Sequence, residues 1–171
     1  MSMLNDPEME EIVLGFTEEA DALYEDLSEI LESYEDEPRQ KKLEEFGQVI
    51  DRVMGAAKSI EAHRTGSFCE LGKTISYKAS QSMDQELLNI VVAVLFDTVE
   101  ILQKINQKII KSKTEEIEDL NLDRFGTRLR WLSEKFQNIE RSSVAFETST
   151  LESDGKADQK SIDDLLASLG L

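Results

Sequence analysis

Proline occurs only at positions 7 and 38, and glycine only eight times in 171 residues. Beyond Pro38 little remains to interrupt long helices. There is one Cys and one His. That excludes a disulfide framework, a Cys/His zinc cluster and a paired-histidine metal site. Basic side chains are scarce: 19 Lys and Arg stand against 36 Asp and Glu, a formal charge of -17. Binding to nucleic acid or an anionic bilayer needs clustered cations, so neither nucleic acid nor membrane is an expected partner. Long apolar runs are missing as well. The most apolar stretch, Leu87 to Leu102, is broken by Asn89, Asp97 and Glu100. It is too short and too polar to span a bilayer. The segment Met1 to Glu11 is acidic and lacks the basic and apolar regions of a secretory signal. With the lone Cys69, these features lead to the expectation of a cytoplasmic protein.

What the chain has in quantity is Glu, Lys, Leu and Gln, the residues of helices. Length allows one ordinary domain plus a tail. Five helices are expected in an all-α bundle over residues 1 to 141. The first runs from about Pro7 to Tyr34, with Asp6 as N-cap, Pro7 in its first position and an apolar stripe of Ile12, Phe16, Ala20, Leu23, Leu27, Ile30 and Leu31. The second covers about Arg39 to Ala62, its stripe being Leu43, Phe46, Ile50, Val53, Ala57 and Ile60. Thr65-Gly66-Ser67 reads as a break. A third follows from about Phe68 to Gln81 with Leu71, Ile75 and Tyr77. The fourth, capped by Ser82 or Asp84 and ending near Lys111, is apolar on more than one side, which suits a central position. The fifth spans about Leu120 to Ile139, with Phe125, Leu129, Leu132 and Phe136 facing inward and Trp131 in the core.

Residues 142 to 160 are dominated by Ser, Thr, Asp, Glu and Lys and read as a flexible linker. Apolar residues return at Ile162, Leu165, Leu166 and Leu169, offsets of 0, 3, 4 and 7. They define a short amphipathic helix in residues 161 to 171, barely stable alone in water. A conditional helix on a tether is most simply a ligand for a partner's groove. The bland alternative is that it folds back onto its own bundle.

Signals of chemistry are few. No glycine-rich phosphate loop and no G-x-S-x-G elbow is present. His63 reads as an ordinary exposed or capping residue near the end of the second helix. Cys69, near a helix start, has the setting for a lowered pKa but no His or Asn placed to make it a nucleophile. On the second helix Glu44, Gln48, Asp51 and Gly55 are spaced four, three and four apart, so they share one face opposite the apolar stripe. By periodicity alone that is a solvated helix face.

Two segments bear family resemblances. Phe16-Thr-Glu-Glu-Ala-Asp-Ala-Leu, an acidic turn and Ile50-Asp-Arg-Val-Met-Gly-Ala-Ala resemble the histidine phosphotransfer (Hpt) domain of the chemotaxis kinase CheA, over about residues 8 to 141. The resemblance implies an antiparallel, Hpt-like bundle of four or five helices that presents one helix face to a response regulator. The family carries a phosphorylatable His followed three residues later by Lys and then Gly. Aligned on Gly55, Asp51 stands at the His position and Met54 at the Lys position, so phosphotransfer is not expected. Second, Ala157-Asp-Gln-Lys-Ser-Ile-Asp-Asp-Leu-Leu-Ala-Ser-Leu-Gly-Leu is similar to the tail with which the phosphatase CheZ holds the regulator CheY. Gly47-Gln-Val-Ile-Asp-Arg-Val-Met also resembles the active helix of that family, which places an acid four residues before an essential Gln. Here those positions are Glu44 and Gln48, with Glu one methylene longer than the family's Asp.

Together the resemblances imply a phosphatase for a CheY-type response regulator. Gln48 and Glu44 are the implied catalytic pair. Asp51, Gly55, Ile162, Asp163, Asp164, Leu165, Leu166 and Leu169 are the implied partner contacts. No metal or cofactor of its own is implied; Mg2+ belongs to the regulator. The CheZ likeness suggests a homodimer, whereas an Hpt-like bundle is complete as a monomer. A non-catalytic adaptor that binds or sequesters a regulator is the alternative.

Overall fold

The computed structural model describes residues 2–118, 120, 122–146 and 162–171, with the backbone alone for 139–146. Among these residues all regular structure is helical. The Asp6 carboxylate accepts the Glu8 N–H at 3.0 Å and opens a 3-10 turn, Pro7–Met9, that leads into α1, Glu10–Asp36. Pro at the first position forfeits an N–H that would have had no partner anyway. The acidic turn after α1 is closed from the next helix. Lys42 donates to the carbonyls of Ser33 at 3.0 Å and Glu37 at 2.8 Å. A cation there meets the negative end of the helix.

α2 is Gln40–Ser59, α3 is His63–Ser80 and α4 is Gln85–Ser112. α1 to α4 form a closed ring in which each packs on its sequence neighbour and α4 returns to α1. The pairs run antiparallel. Asn106 on α4 donates to the Thr17 carbonyl at 3.0 Å and to Asp21 at 2.6 Å on α1, while Lys113 reaches Glu10 at 3.5 Å. α2 and α3 approach most closely. A Cβ on Gly47 would stand 3.0 Å from Ser76 Oγ, and one on Gly72 would stand 2.7 Å from Ile50 Cδ1. The absent side chains thus set the spacing of these two helices.

The expected core of α2 holds: Leu43, Phe46, Ile50, Val53, Ala57 and Ile60 are all buried. Leu87, Leu88, Val91, Val92, Val94 and Leu95 are buried too, which fits a central α4. Its N-cap is Asp84, whose carboxylate accepts the N–H groups of Glu86 and Leu87. α5, Asp123–Phe146, lies on α4 through Phe125, Leu129, Leu132 and Phe136, all buried. Arg128 pairs with Asp97 at 2.8 Å across that contact. The last helix, α6, Ile162–Ser168, wedges between α3 and α5.

Several expectations are corrected. Thr65-Gly66-Ser67 is not a break; it lies in the first turn of α3, and His63 begins that helix instead of following α2. The cause is distant. The Glu115 carboxylate accepts the N–H groups of Arg64 at 3.2 Å and Thr65 at 2.7 Å, and the Thr65 hydroxyl at 2.7 Å. This caps the helix with a residue no local pattern could supply. The reversal before it uses Glu61 at φ 58°. On α1 the buried stripe passes through Val13 and Tyr24, leaving Ile12 56% exposed; on α3 Tyr77 points outward. Trp131 is half-buried, with Lys135 above its ring at 5.3 Å. Residues 142–146 belong to α5 and not to a linker. The rest of the expected linker, to residue 160, lies outside the described residues.

Candidate functional site

The face opposite the core of α2 carries the four candidate residues. Leu43, Phe46, Ile50, Val53 and Ala57 fix the rotation of the helix by their burial. Glu44, Gln48, Asp51 and Gly55 are consequently all exposed. The structure therefore brings them together along one strip of surface. Among the described residues the Gln48 amide and the Glu44 carboxylate have no hydrogen-bond partner. Both are presented to solvent. A Cβ at Gly55 would meet nothing within 4 Å, so its lack of side chain leaves bare backbone at the end of the strip.

Asp51 is different. It accepts Lys73 of α3 at 2.9 Å, in an ion pair of which both side chains are about half exposed. Such an exposed pair adds at most ~1 kcal/mol to stability. It does fix the position of a cation at the edge of the strip. Nothing in the sequence singles out Lys73. Its partner lies 22 residues away on another helix, and no periodicity links the two.

The tail residues lie elsewhere and in another state than expected. Ile162, Leu165 and Leu166 are buried, at 2%, 0% and 5% exposure, against α3 and α5. Leu169 packs on the same core, half-buried. Leu171 closes on Gly126, where an added Cβ would touch it at 3.9 Å. Asp163 accepts the Ser133 hydroxyl and the Gln137 amide, each at 2.7 Å. Asp164 faces outward. The expectation of a free tail is thus corrected to a tail seated on its own bundle. Physically, a seven-residue helix has to bury its apolar stripe to exist, and the space beside α5 offers that burial. Ser133 and Gln137, four apart on α5, are partners of Asp163 that no sequence pattern signals.

Cys69 sits in the second turn of α3, fully buried. Burial pushes its thiol well above the usual range, with Glu115 and Asp51 adding in the same direction. The lowered pKa expected of a helix-start cysteine is therefore corrected. Tyr24, also buried, is raised for the same first reason. Among the described residues no group of three or more His, Cys, Asp or Glu is arranged to hold a metal ion. No described helix is long and apolar enough to cross a membrane.

No protein-family model, curated protein or solved structure matches this chain.

Proposed function

We propose that this protein accelerates the hydrolysis of the aspartyl phosphate on a CheY-type response regulator. The observation that carries the reading is the exposed Gln48 amide, without a hydrogen-bond partner among the described residues and aligned with Glu44 and Gly55 on the outer face of α2. A side-chain amide donates and accepts at once. It can hold a water in line with phosphorus, as the water-orienting Gln of GTPases does. The water oxygen forms the new bond to phosphorus, the bond from phosphorus to the carboxyl oxygen breaks, and the regulator's Asp leaves as carboxylate. The water's proton goes to the released phosphate. Mg2+ held by the regulator supplies charge neutralisation at the phosphoryl oxygens. An acyl phosphate is already reactive, so positioning alone suffices and no general base is asked of this chain.

Glu44 would pair with a cation on the regulator and orient it. Gly55 would admit close approach of the regulator's backbone. The tail, through its similarity to the CheZ tail, would raise the local concentration of regulator, to about millimolar for a short flexible tether. A second reading is favoured by one observation. Asp51, at the position of the missing His, is already paired with Lys73, so this surface can serve for docking without chemistry.

The test is the lifetime of a phosphorylated CheY-type regulator with this protein and with Gln48→Ala. Faster phosphate loss that disappears in the variant, with binding retained, supports the phosphatase. Binding without any change in lifetime makes the protein an adaptor.

A further inference from the structure

The residues proposed to hold the regulator are the residues that hold the tail to its own bundle. Ile162, Leu165 and Leu166 are the apolar face of α6, and none exceeds 5% exposure. A partner groove that takes this face has to lift it from α3 and α5 first. Asp163 adds specificity to the internal seat: its two carboxylate oxygens are divided between Ser133 Oγ and Gln137 Nε2 at 2.7 Å each. Charge-assisted bonds of that length are the stronger kind. Chain reversal after α6 is also built. Gly170 adopts φ +76°, and the Leu171 N–H bonds the Leu166 carbonyl at 2.9 Å. This closes the helix with Leu171 against Gly126. The seat is therefore made of apolar, polar and backbone contacts together.

We infer that the C-terminal helix is a latch with two mutually exclusive seats, its own α3–α5 cleft and the regulator, so that the resting protein holds back its own tether. This rests on the reading that the tail binds a regulator. With the latch closed, the apparent affinity for the regulator falls by the fraction of molecules in which the tail is released. Anything that weakens the internal seat without touching the tail tightens regulator binding. Release also dissolves α6 as a helix until the second seat is found, because seven residues do not sustain one alone.

The experiment uses the full chain, with Ser133→Ala and Gln137→Ala combined on α5. Neither residue is on the α2 face or in the tail. Two readouts are taken: amide hydrogen exchange at residues 165–171 in the protein alone, and affinity for an unphosphorylated CheY-type regulator. A third chain lacking residues 161–171 reports whether the tail contributes to binding at all. The expected result is protected tail amides in the parent, lost protection in the double variant, and regulator binding tightened about tenfold by it. Tail amides that exchange freely in the parent overturn the internal seat. Lost protection with unchanged affinity, in a protein whose deletion does weaken binding, overturns exclusivity. A deletion that leaves affinity unchanged removes the second seat and sinks the tail-binding reading itself, while the exchange data still report on the first.

Discussion

Substituting alanine for two glycines, one in α3 and one in α2, separates packing from helix propensity. Gly72→Ala and Gly55→Ala both lie inside helices and both gain the same intrinsic term, about 1 kcal/mol. Neither glycine has a positive φ; among the described glycines only Gly170 does. Their surroundings differ. At Gly55 the new methyl meets nothing within 4 Å, so the propensity gain stands and the bundle is stabilised by about 1 kcal/mol. At Gly72 the methyl would lie 2.7 Å from Ile50 Cδ1, 3.5 Å from Thr98 Cγ2 and 3.8 Å from Phe46 Cε1. Ile50 is fully buried, so its δ-methyl has to be displaced within the packed interior between α2 and α3. Overpacking of that kind costs about 1–3 kcal/mol. Because propensity cancels, the difference between the two variants reads the packing term directly. In urea melts, with a slope of about 2 kcal/mol per molar, the midpoints should differ by roughly 0.5–1.5 M. Adding Ile50→Val to Gly72→Ala removes the offending carbon, and the double variant should be less destabilised than the sum of its parts. Two single-variant midpoints that coincide, with additivity in the double, would refute the claim that Gly72 sets the α2–α3 spacing.

Other outcomes follow from buried groups and from the α2 strip. Tyr24→Phe should leave stability unchanged or raise it by about 1 kcal/mol, since the buried Tyr24 hydroxyl lacks a partner among the described residues; a loss in thermal unfolding would show that it has one. Tyr24 and Cys69 both have raised pKa values in the folded state, so the unfolded chain releases their protons first as pH rises. The Cys69 contribution is whole below about pH 8.5 and the Tyr24 contribution below about pH 10, and each is lost above that point, by up to about 1.4 kcal/mol per pH unit. Urea midpoints from pH 7 to 11 should fall accordingly, and less steeply in Cys69→Ala; an unchanged slope would contradict it. Gln48→Ala should shift the urea midpoint by no more than about 0.25 M, equal to ~0.5 kcal/mol, because the side chain is exposed and makes no hydrogen bond among the described residues. A larger loss would mean that the strip is structural.

The α2 strip could be read from spacing because burial on one side of a helix dictates exposure on the other. Leu43, Phe46, Ile50 and Val53 reached the core as their period required, and that left Glu44, Gln48, Asp51 and Gly55 outside. The central place of α4 was legible from its excess of apolar faces. Where local pattern and fold differ, the deciding partner lies far along the chain. Thr65-Gly66-Ser67 has the composition of a turn, yet Glu115 makes it a helix start. The tail has the amphipathic period of a ligand helix, and nothing in that period distinguishes a foreign groove from the one beside α5. Asp163 reads as an acid for a basic partner; in the fold it accepts from Ser133 and Gln137. Ile12 and Tyr77 match the apolar stripes by type, but their neighbours Val13 and Tyr24, Leu71 and Ile75 fill the available interior.

The Glu115 cap also has a bearing on the order in which the chain folds. α3 receives its N-terminal partner from a residue 50 positions downstream. A chain that ends just before residue 115 holds α1, α2 and all of α4 but leaves the first turn of α3 frayed. A long-range closure of this sort arrives late in folding, after its loop entropy has been met by other contacts. Removal of the carboxylate, as in Glu115→Gln, should therefore speed unfolding while leaving the refolding rate nearly untouched. The beginning of the third helix is then a clasp fastened last, and the first place from which the bundle comes undone.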